Sequence, residues 1–229
     1  MARTIVFDAV GTLLKPKPNV VTAYHAAGSQ FGSKLTRQQV ASQFKLARRT
    51  FFSCDTPAER TAAGSLFSSD SIEYELWQGL VCAIFSDVAQ PLPLFEQLWE
   101  HFASPANWEL YDDVAACLDR LHTQGDHVII ASNFDSRLHD IFASFPDLGS
   151  ISSVHCSAEV GFRKPDPEFY RSVSESIPDE NEVIMIGDDL ENDCRAPVLF
   201  GWQGIYLDRN DRSTNLPGDR TIDSLSQPW

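Results

Sequence analysis

No two cysteines in this chain lie close enough in sequence to share a metal or form a redox dithiol. Its five, Cys54, Cys82, Cys117, Cys156 and Cys194, are scattered and odd in number. That excludes a disulfide framework or a zinc knuckle, and points to a reducing compartment with free, mostly buried thiols. No stretch approaches the ~20 apolar residues of a membrane span, and the first apolar run is broken by Asp8. A cytoplasmic protein with no membrane partner is expected. Basic residues are scarce, 18 Lys and Arg against 32 Asp and Glu for a net charge of −14, and that balance argues against a nucleic-acid backbone as partner. Repeats and low-complexity segments are also missing.

What is present is enough for one substantial core and a smaller second unit: 229 residues, 43 % hydrophobic. The charge is uneven. Residues 1–60 hold nine of the 18 basic residues against three acids (Asp8, Asp55, Glu59), leaving +6 there and −20 in the remainder. Solvated helix faces account for such a segment, and attraction of an anionic substrate is the sharper alternative.

Short apolar, β-branched runs recur at Thr4–Val10, His127–Ser132, Val183–Gly187 and Gly204–Leu207, with a weaker one at Ser153–Ser157. Helical patterns separate the later ones, which is how buried parallel strands with helices on both faces read. The segment Asp112–Gln124 has Asp112 as N-cap, an apolar face of Val114, Cys117, Leu118 and Leu121, and Gly125 for a left-handed C-terminus. Asp166 and Pro167 suit a cap and first helical position. Between about Lys15 and Pro105 the pattern is helical: Thr36 and Gln39 form a capping-box pair, and Ile72–Phe85 and Leu92–Phe102 are amphipathic. The expected architecture is α/β, a doubly wound parallel-sheet (Rossmann-like) core of residues 1–14 and 106–229 with an inserted α-helical cap of residues 15–105. The polar chain after Asp208 reads as surface, with Leu225 and Trp229 tucked back.

Four polar clusters stand at or just after the ends of expected strands: Asp8 with Gly11 and Thr12, Ser132 with Asn133, Arg163 with Lys164, and Asp188, Asp189 and Asp193. Any one could be a helix cap. In an open parallel sheet the carboxyl ends of strands share one edge, so all four converge there. Three or four carboxylates beside Lys164 raise each other's pKa unless a cation compensates. Oxygen-only ligands favour Mg²⁺ over zinc or copper.

The run FDAVGTLL, the Ser132 of IIASN, the Lys164 of GFRKPDP and the segment IGDDLEND resemble, in order and spacing, the four motifs of the haloacid dehalogenase-like hydrolase superfamily. The likeness is greatest to the haloacid dehalogenase-like hydrolase domain-containing proteins whose first motif often lacks its second aspartate. The resemblance implies a helical cap and a phosphatase acting on a small phosphorylated metabolite. Asp8 would be the nucleophile forming an aspartyl-phosphate. Asp8, the Val10 carbonyl, Asp188, Asp189 and Asp193 would hold Mg²⁺, while Gly11, Thr12, Ser132, Asn133 and Lys164 would hold the phosphoryl group.

Val10 departs from that pattern. Many similar phosphatases carry there an aspartate that protonates the leaving oxygen, a contribution of ~10²–10⁴-fold. Tyr24 and His25 are the substitutes nearest in sequence, and Lys34, Arg37, Lys45, Arg48 and Arg49 could select an anion; packing or solvated faces are the plainer readings for all of them. Trp77, Trp99 and Trp108 read as packing. Three alternatives stay open: a metal-free 2-haloacid dehalogenase, a phosphonate-cleaving enzyme using Lys34 or Lys45, and a phosphate-binding module with little turnover. The sequence leaves oligomeric state open, a monomer included.

Overall fold

A computed structural model describes residues 3–52, 66–178, 182–209 and 220–229. Cys54 and the greater part of the chain between Asp208 and Arg220 lie outside the described residues. The chain divides into two compact units, one of Met1–Lys15, Leu66–Ser69 and Leu110–Trp229, the other of Pro16–Ser65 and Asp70–Glu109.

The first unit is built on a six-stranded sheet in the order β5-β4-β1-β6-β7-β8. Its strands are β1 (Arg3–Phe7), β4 (His127–Ser132), β5 (Ser153–Cys156), β6 (Glu182–Gly187), β7 (Gln203–Leu207) and β8 (Arg220–Ile222). All pairings are parallel. β1 lies between β4 and β6, and its Ile5, Val6 and Phe7 are fully buried, as required of a strand covered on both faces. On one face Val6, Ile129, Ala131 and Met185 pack with Phe169, Tyr170 and Val173 of α8 (Pro167–Ser174) and Ala196 of α9 (Ala196–Phe200). On the other, Ile5, Phe7, Val128, Ile130, Ile184 and Ile186 are also buried.

Local signals explain the helix ends. In α5 (Val114–Gln124), Gly125 takes φ +76° at the C-terminus. The N-cap position belongs to Asp113, not Asp112, and it makes no side-chain cap bond; its carboxylate is taken by Arg209 at 2.8 and 2.9 Å. Asp166 caps α8 by accepting from the Glu168 amide at 3.0 Å, with Pro167 in the first turn. Among the described residues the other α-helices of this unit are α6 (Arg137–Ala143) and α7 (Ser157–Val160).

The second unit holds α1 (Val20–Gln30), α2 (Arg37–Phe52), α3 (Asp70–Ile84) and α4 (Pro91–Ala103) around Val40, Leu80, Ile84, Phe85, Leu94, Phe95 and Leu98. Thr36 and Gln39 form the reciprocal capping box ahead of α2, at 2.8 and 3.3 Å. Trp77 packs on Phe52, Trp99 on Tyr74 and Phe95, and Trp108 donates to the Phe102 carbonyl. Two short strands, β2 (Leu14–Pro16) and β3 (Trp108–Leu110), form a separate two-stranded sheet.

Several sequence readings change. β1 stops at Phe7 rather than Val10, and residues 9–14 turn back through Leu13 and Leu14 amides donating to the Ala9 carbonyl. Leu66–Ser69 belongs to the α/β unit: Arg163 N donates to Leu66 O at 2.8 Å, Ser68 N to Gly161 O at 2.9 Å, and Phe67 lies 5.3 Å from Phe162. The tail supplies a sixth strand, β8, before Leu225, which is fully buried, and Trp229, whose indole meets Phe7 edge-on. No helix among the described residues is long and apolar enough to cross a membrane.

Candidate active site

Sheet register brings the polar clusters together. Phe7 is level with Ile130 of β4 and Ile186 of β6. The next residue, Asp8, therefore stands beside Ala131 and Ser132 on one side and Gly187 and Asp188 on the other, with neighbouring strands about 4.8 Å apart. Asp8 N donates to Ile186 O at 3.0 Å, which fixes where its side chain starts.

Asp8 Oδ1 accepts from Ser132 Oγ and from Lys164 Nζ, both at 2.9 Å. Lys164 Nζ also donates to Asp193 Oδ1 at 2.6 Å and to Ala131 O at 2.8 Å. An ammonium has three protons, and all three are used within the protein. Lys164 therefore holds the Asp8 and Asp193 carboxylates in place, and to reach a bound phosphoryl group it would have to release one of its three acceptors, Asp8, Asp193 or the Ala131 carbonyl. Asn133 explains how the lysine is aimed. Its Oδ1 accepts from Lys164 N at 2.7 Å and its Nδ2 donates to Lys164 O at 2.9 Å, so the expected substrate contact is, in its side chain, a clamp on the lysine backbone.

Asp193 is carried by a π-helical turn, Leu190–Arg195. Its start is capped by Asp189, whose Oδ1 accepts from the Glu191 and Asn192 amides at 3.1 and 3.0 Å. The fully buried Tyr170 donates to Asn192 O at 2.7 Å. One oxygen from each of Asp8, Asp188 and Asp193 lies within 4.8 Å of the other two. Asp189 is not of that group; its carboxylate serves as the helix cap, the plainer of the two sequence readings. The Thr12 hydroxyl is fully buried and has no hydrogen-bond partner among the described residues.

Two glycines make room for these carboxylates. Gly11 has φ +96°, and a Cβ on it would lie 2.5 Å from the Asp188 carboxylate; a Cβ on Gly187 would lie 2.2 Å from Asp193 Oδ2. Neither position tolerates a side chain while the carboxylates stay where they are.

Electrostatics follow from burial. Lys164 and Asp193 are 4 % and 1 % exposed. Burial alone would push the Lys164 ammonium down, but Asp193 and Asp8 outweigh it and hold its pKa above the ordinary lysine value. Burial pushes the Asp193 carboxyl well up and repulsion from Asp8 and Asp189 adds to this, against the pull of Lys164. Asp8, Asp188, Asp193 and Lys164 together carry a formal charge of −2, which one divalent cation would cancel.

Sequence reading missed Arg209. Its guanidinium donates to Thr12 O at 2.7 and 3.2 Å, pairs with Asp113, and stacks 3.9 Å over Tyr111, fastening the loop after Asp8. The signal was available, because Asp208 and Arg209 follow the end of β7 as the other clusters follow theirs. Of the cap candidates, Tyr24 is 2 % exposed and packs against Phe44, Phe85 and Phe102, so its ring is core.

A family model described as haloacid dehalogenase-like hydrolase matches residues 2–201. The chain belongs to the haloacid dehalogenase-like hydrolase family. Among curated relatives, a haloacid dehalogenase-like hydrolase domain-containing protein 3 from Danio rerio is 28 % identical, covering 98 % of this chain and 94 % of the relative. Among solved structures, a magnesium-bound HAD-hydrolase from Bacillus subtilis superposes with a TM-score of 0.74 at 20 % identity, over 98 % of this chain and 95 % of that one. An L-2-haloacid dehalogenase from Xanthobacter autotrophicus with covalently bound chloropropionic acid gives 0.71 at 16 % identity, over 98 % and 96 %. At those identities the structural likenesses speak for the fold. The chain is thus a haloacid dehalogenase-like hydrolase with a Rossmann-like core and a helical cap insertion.

Proposed function

We propose that this hydrolase is a Mg²⁺-dependent phosphatase of small phosphorylated metabolites that works through an aspartyl-phosphate on Asp8. The observation that carries the reading is the buried contact of Asp8 with Ser132 and Lys164 beside two further carboxylates. One Asp8 oxygen is held by the two donors, and among the described residues no hydrogen bond holds Oδ2.

The donor set fits the metal. Octahedral Mg²⁺ takes oxygen ligands at about 2.0–2.1 Å, so ligand oxygens on opposite sides are about 4.2 Å apart. Oxygens of Asp8, Asp188 and Asp193 within 4.8 Å of one another would reach one ion by turning inward, since neighbouring ligands of octahedral Mg²⁺ are about 2.9 Å apart, and the Val10 carbonyl would be a further ligand. When bound, Mg²⁺ would supply the positive charge that offsets these carboxylates and an incoming dianion.

In the first step Asp8 Oδ2 attacks phosphorus, the bond from phosphorus to the ester oxygen breaks, and that oxygen leaves with the bonding pair and takes its proton from solvent. Water then attacks the same phosphorus, releases inorganic phosphate and restores the Asp8 carboxylate. Ser132 and Lys164 keep the nucleophile oriented through both steps. Val10 has no proton to give, so good leaving groups such as acyl or aryl phosphates are favoured.

A 2-haloacid dehalogenase reading shares the fold and the nucleophile, but gives no purpose to Asp188 beside Asp193. The test is phosphate release from sugar phosphates, nucleotides, acyl phosphates and aryl phosphates, with Mg²⁺ and with EDTA. Turnover should require Mg²⁺ and fall on the order of 10⁶-fold in Asp8→Asn, the scale of removing a nucleophile, with the circular dichroism unchanged. Metal-independent halide release, or an active Asp8→Asn protein, would overturn the reading.

A further inference from the structure

A second group of metal-binding atoms lies in the α/β unit outside the carboxylate cluster. His139 from α6, Cys156 at the end of β5 and Glu159 in α7 each place one donor atom within 4.8 Å of the others. His139 Nε2 is 2.7 Å from Glu159 Oε2 and 3.9 Å from Cys156 Sγ. Cys156 and Glu159 are three residues apart across the start of a helix, and His139 comes from a separate helix.

We propose that His139, Cys156 and Glu159 are a second divalent-metal site, for Zn²⁺ and not Mg²⁺. One nitrogen, one sulfur and one oxygen suit a borderline cation and are a poor set for a hard one. Tetrahedral Zn²⁺ with bonds of about 2.0–2.3 Å puts its ligand atoms roughly 3.4–3.6 Å apart. The observed pairs need one small opening and one small closing. The opening is easy, because the His139 and Glu159 side chains are 44 % and 45 % exposed and an exposed ion pair costs little to part. The same exposure leaves the fourth position to water. Cys156 is fully buried, which disfavours a bare thiolate; the bound cation makes that thiolate tenable. On loading, the S–H bond breaks, the S–Zn bond forms and the proton passes to solvent, with no change of oxidation state.

The neighbouring His155 is not a ligand through Nε2, which is held by Ser153 and Ser176 hydroxyls at 3.0 Å each. Cys156 is the register partner of Ser132, so the two sites occupy adjacent strand ends yet differ in chemical hardness.

The test is titration of the reduced full-length protein, stripped with chelator, with Co²⁺ in excess Mg²⁺. A thiolate-to-cobalt charge-transfer absorption should appear, and Zn²⁺ should displace it. Cys156→Ser should abolish it, and His139→Ala should weaken Co²⁺ binding by at least about 10-fold, since even supporting residues of metal sites are worth that much. Should Cys156→Ser fail to fold, His139→Ala combined with Glu159→Gln, both at exposed positions, decides the matter by the same absorption. No absorption in the unaltered protein, or one that survives these substitutions because another thiol supplies it, would overturn the proposal. None of the outcomes depends on the phosphatase reading.

Discussion

The two units hold their side chains in place by different means. Among the described residues, the buried polar and charged side chains are Thr4, Asp8, Thr12, Ser68, Glu73, Ser132, Asp135, Ser157, Lys164, Asp193 and Asp208, and all but Glu73 belong to the α/β unit. There, position is set by hydrogen bonds with named donors, as when Asn133 grips Lys164 and Lys164 grips Asp8. In the helical unit position is set by apolar volume, with Tyr24 against Phe44, Phe85 and Phe102, and Tyr74 against Phe95 and Trp99. Buried polar networks fail abruptly when one member is lost, whereas apolar cores lose stability in proportion to the volume removed.

That contrast is broken most severely at Lys164. Replacing it by Met leaves the Asp8 and Asp193 carboxylates buried without their ammonium, which should cost about 3–5 kcal/mol of stability together with nearly all turnover. Denaturant unfolding and phosphate release measure the two losses, and excess Mg²⁺ should return part of the stability but not the activity. The counterpart is Phe85→Ala in the helical core, where the side chain is fully buried. It should lower stability by about 3–5 kcal/mol while the Mg²⁺ requirement of the remaining turnover stays as it was. A changed Mg²⁺ requirement would show that the two units do not separate in this way.

Val10→Asp sharpens the comparison from the catalytic side. It should raise turnover of alkyl phosphates more than of aryl phosphates, because only the former need a proton in the transition state. The gain should fall short of ~10²–10⁴-fold, since a loop fitted to valine orients the new carboxylate poorly. Equal gains for both substrates would show that this position is not where the proton is needed.

The smallest effect concerns pH. Burial alone would raise the Asp113 carboxyl, but Arg209, the Ser224 hydroxyl and the Leu225 amide together hold it below its ordinary value. The folded protein therefore binds this proton less readily than the unfolded chain. Its contribution is fully present above about pH 3.9 and is lost as pH falls through the folded value. Arg209→Ala should cost about 1–3 kcal/mol at neutral pH and flatten the acid limb of the stability profile, as read by urea unfolding between about pH 2 and 5.

Much of the α/β unit is legible in the sequence because strands buried on both faces need continuous apolar runs, and because polar residues at their carboxyl ends have nowhere else to converge. The observed strands His127–Ser132 and Glu182–Gly187 lie within a residue of the apolar runs. The misses share another cause. Leu66–Ser69 joins the α/β unit through backbone bonds that carry no sequence pattern. Arg209 reaches the Asp8 loop across 197 residues, and the grouping of His139 with Cys156 depends on two elements meeting in space. Asp189 and Asp113 show the reverse difficulty. Each has a carboxylate near a helix start, and only the fold decides that one caps its turn while the other pairs with arginine.

Gly11 and Gly187 carry a consequence for inheritance. Every single-nucleotide change in a glycine codon that alters the amino acid brings in a side chain, and at these two places the first carbon of any side chain collides with Asp188 or Asp193. Either substitution has to be accompanied by a shift of the carboxylate it meets. A natural variant with alanine at Gly11 or Gly187 would therefore carry a displaced Asp188 or Asp193 side chain.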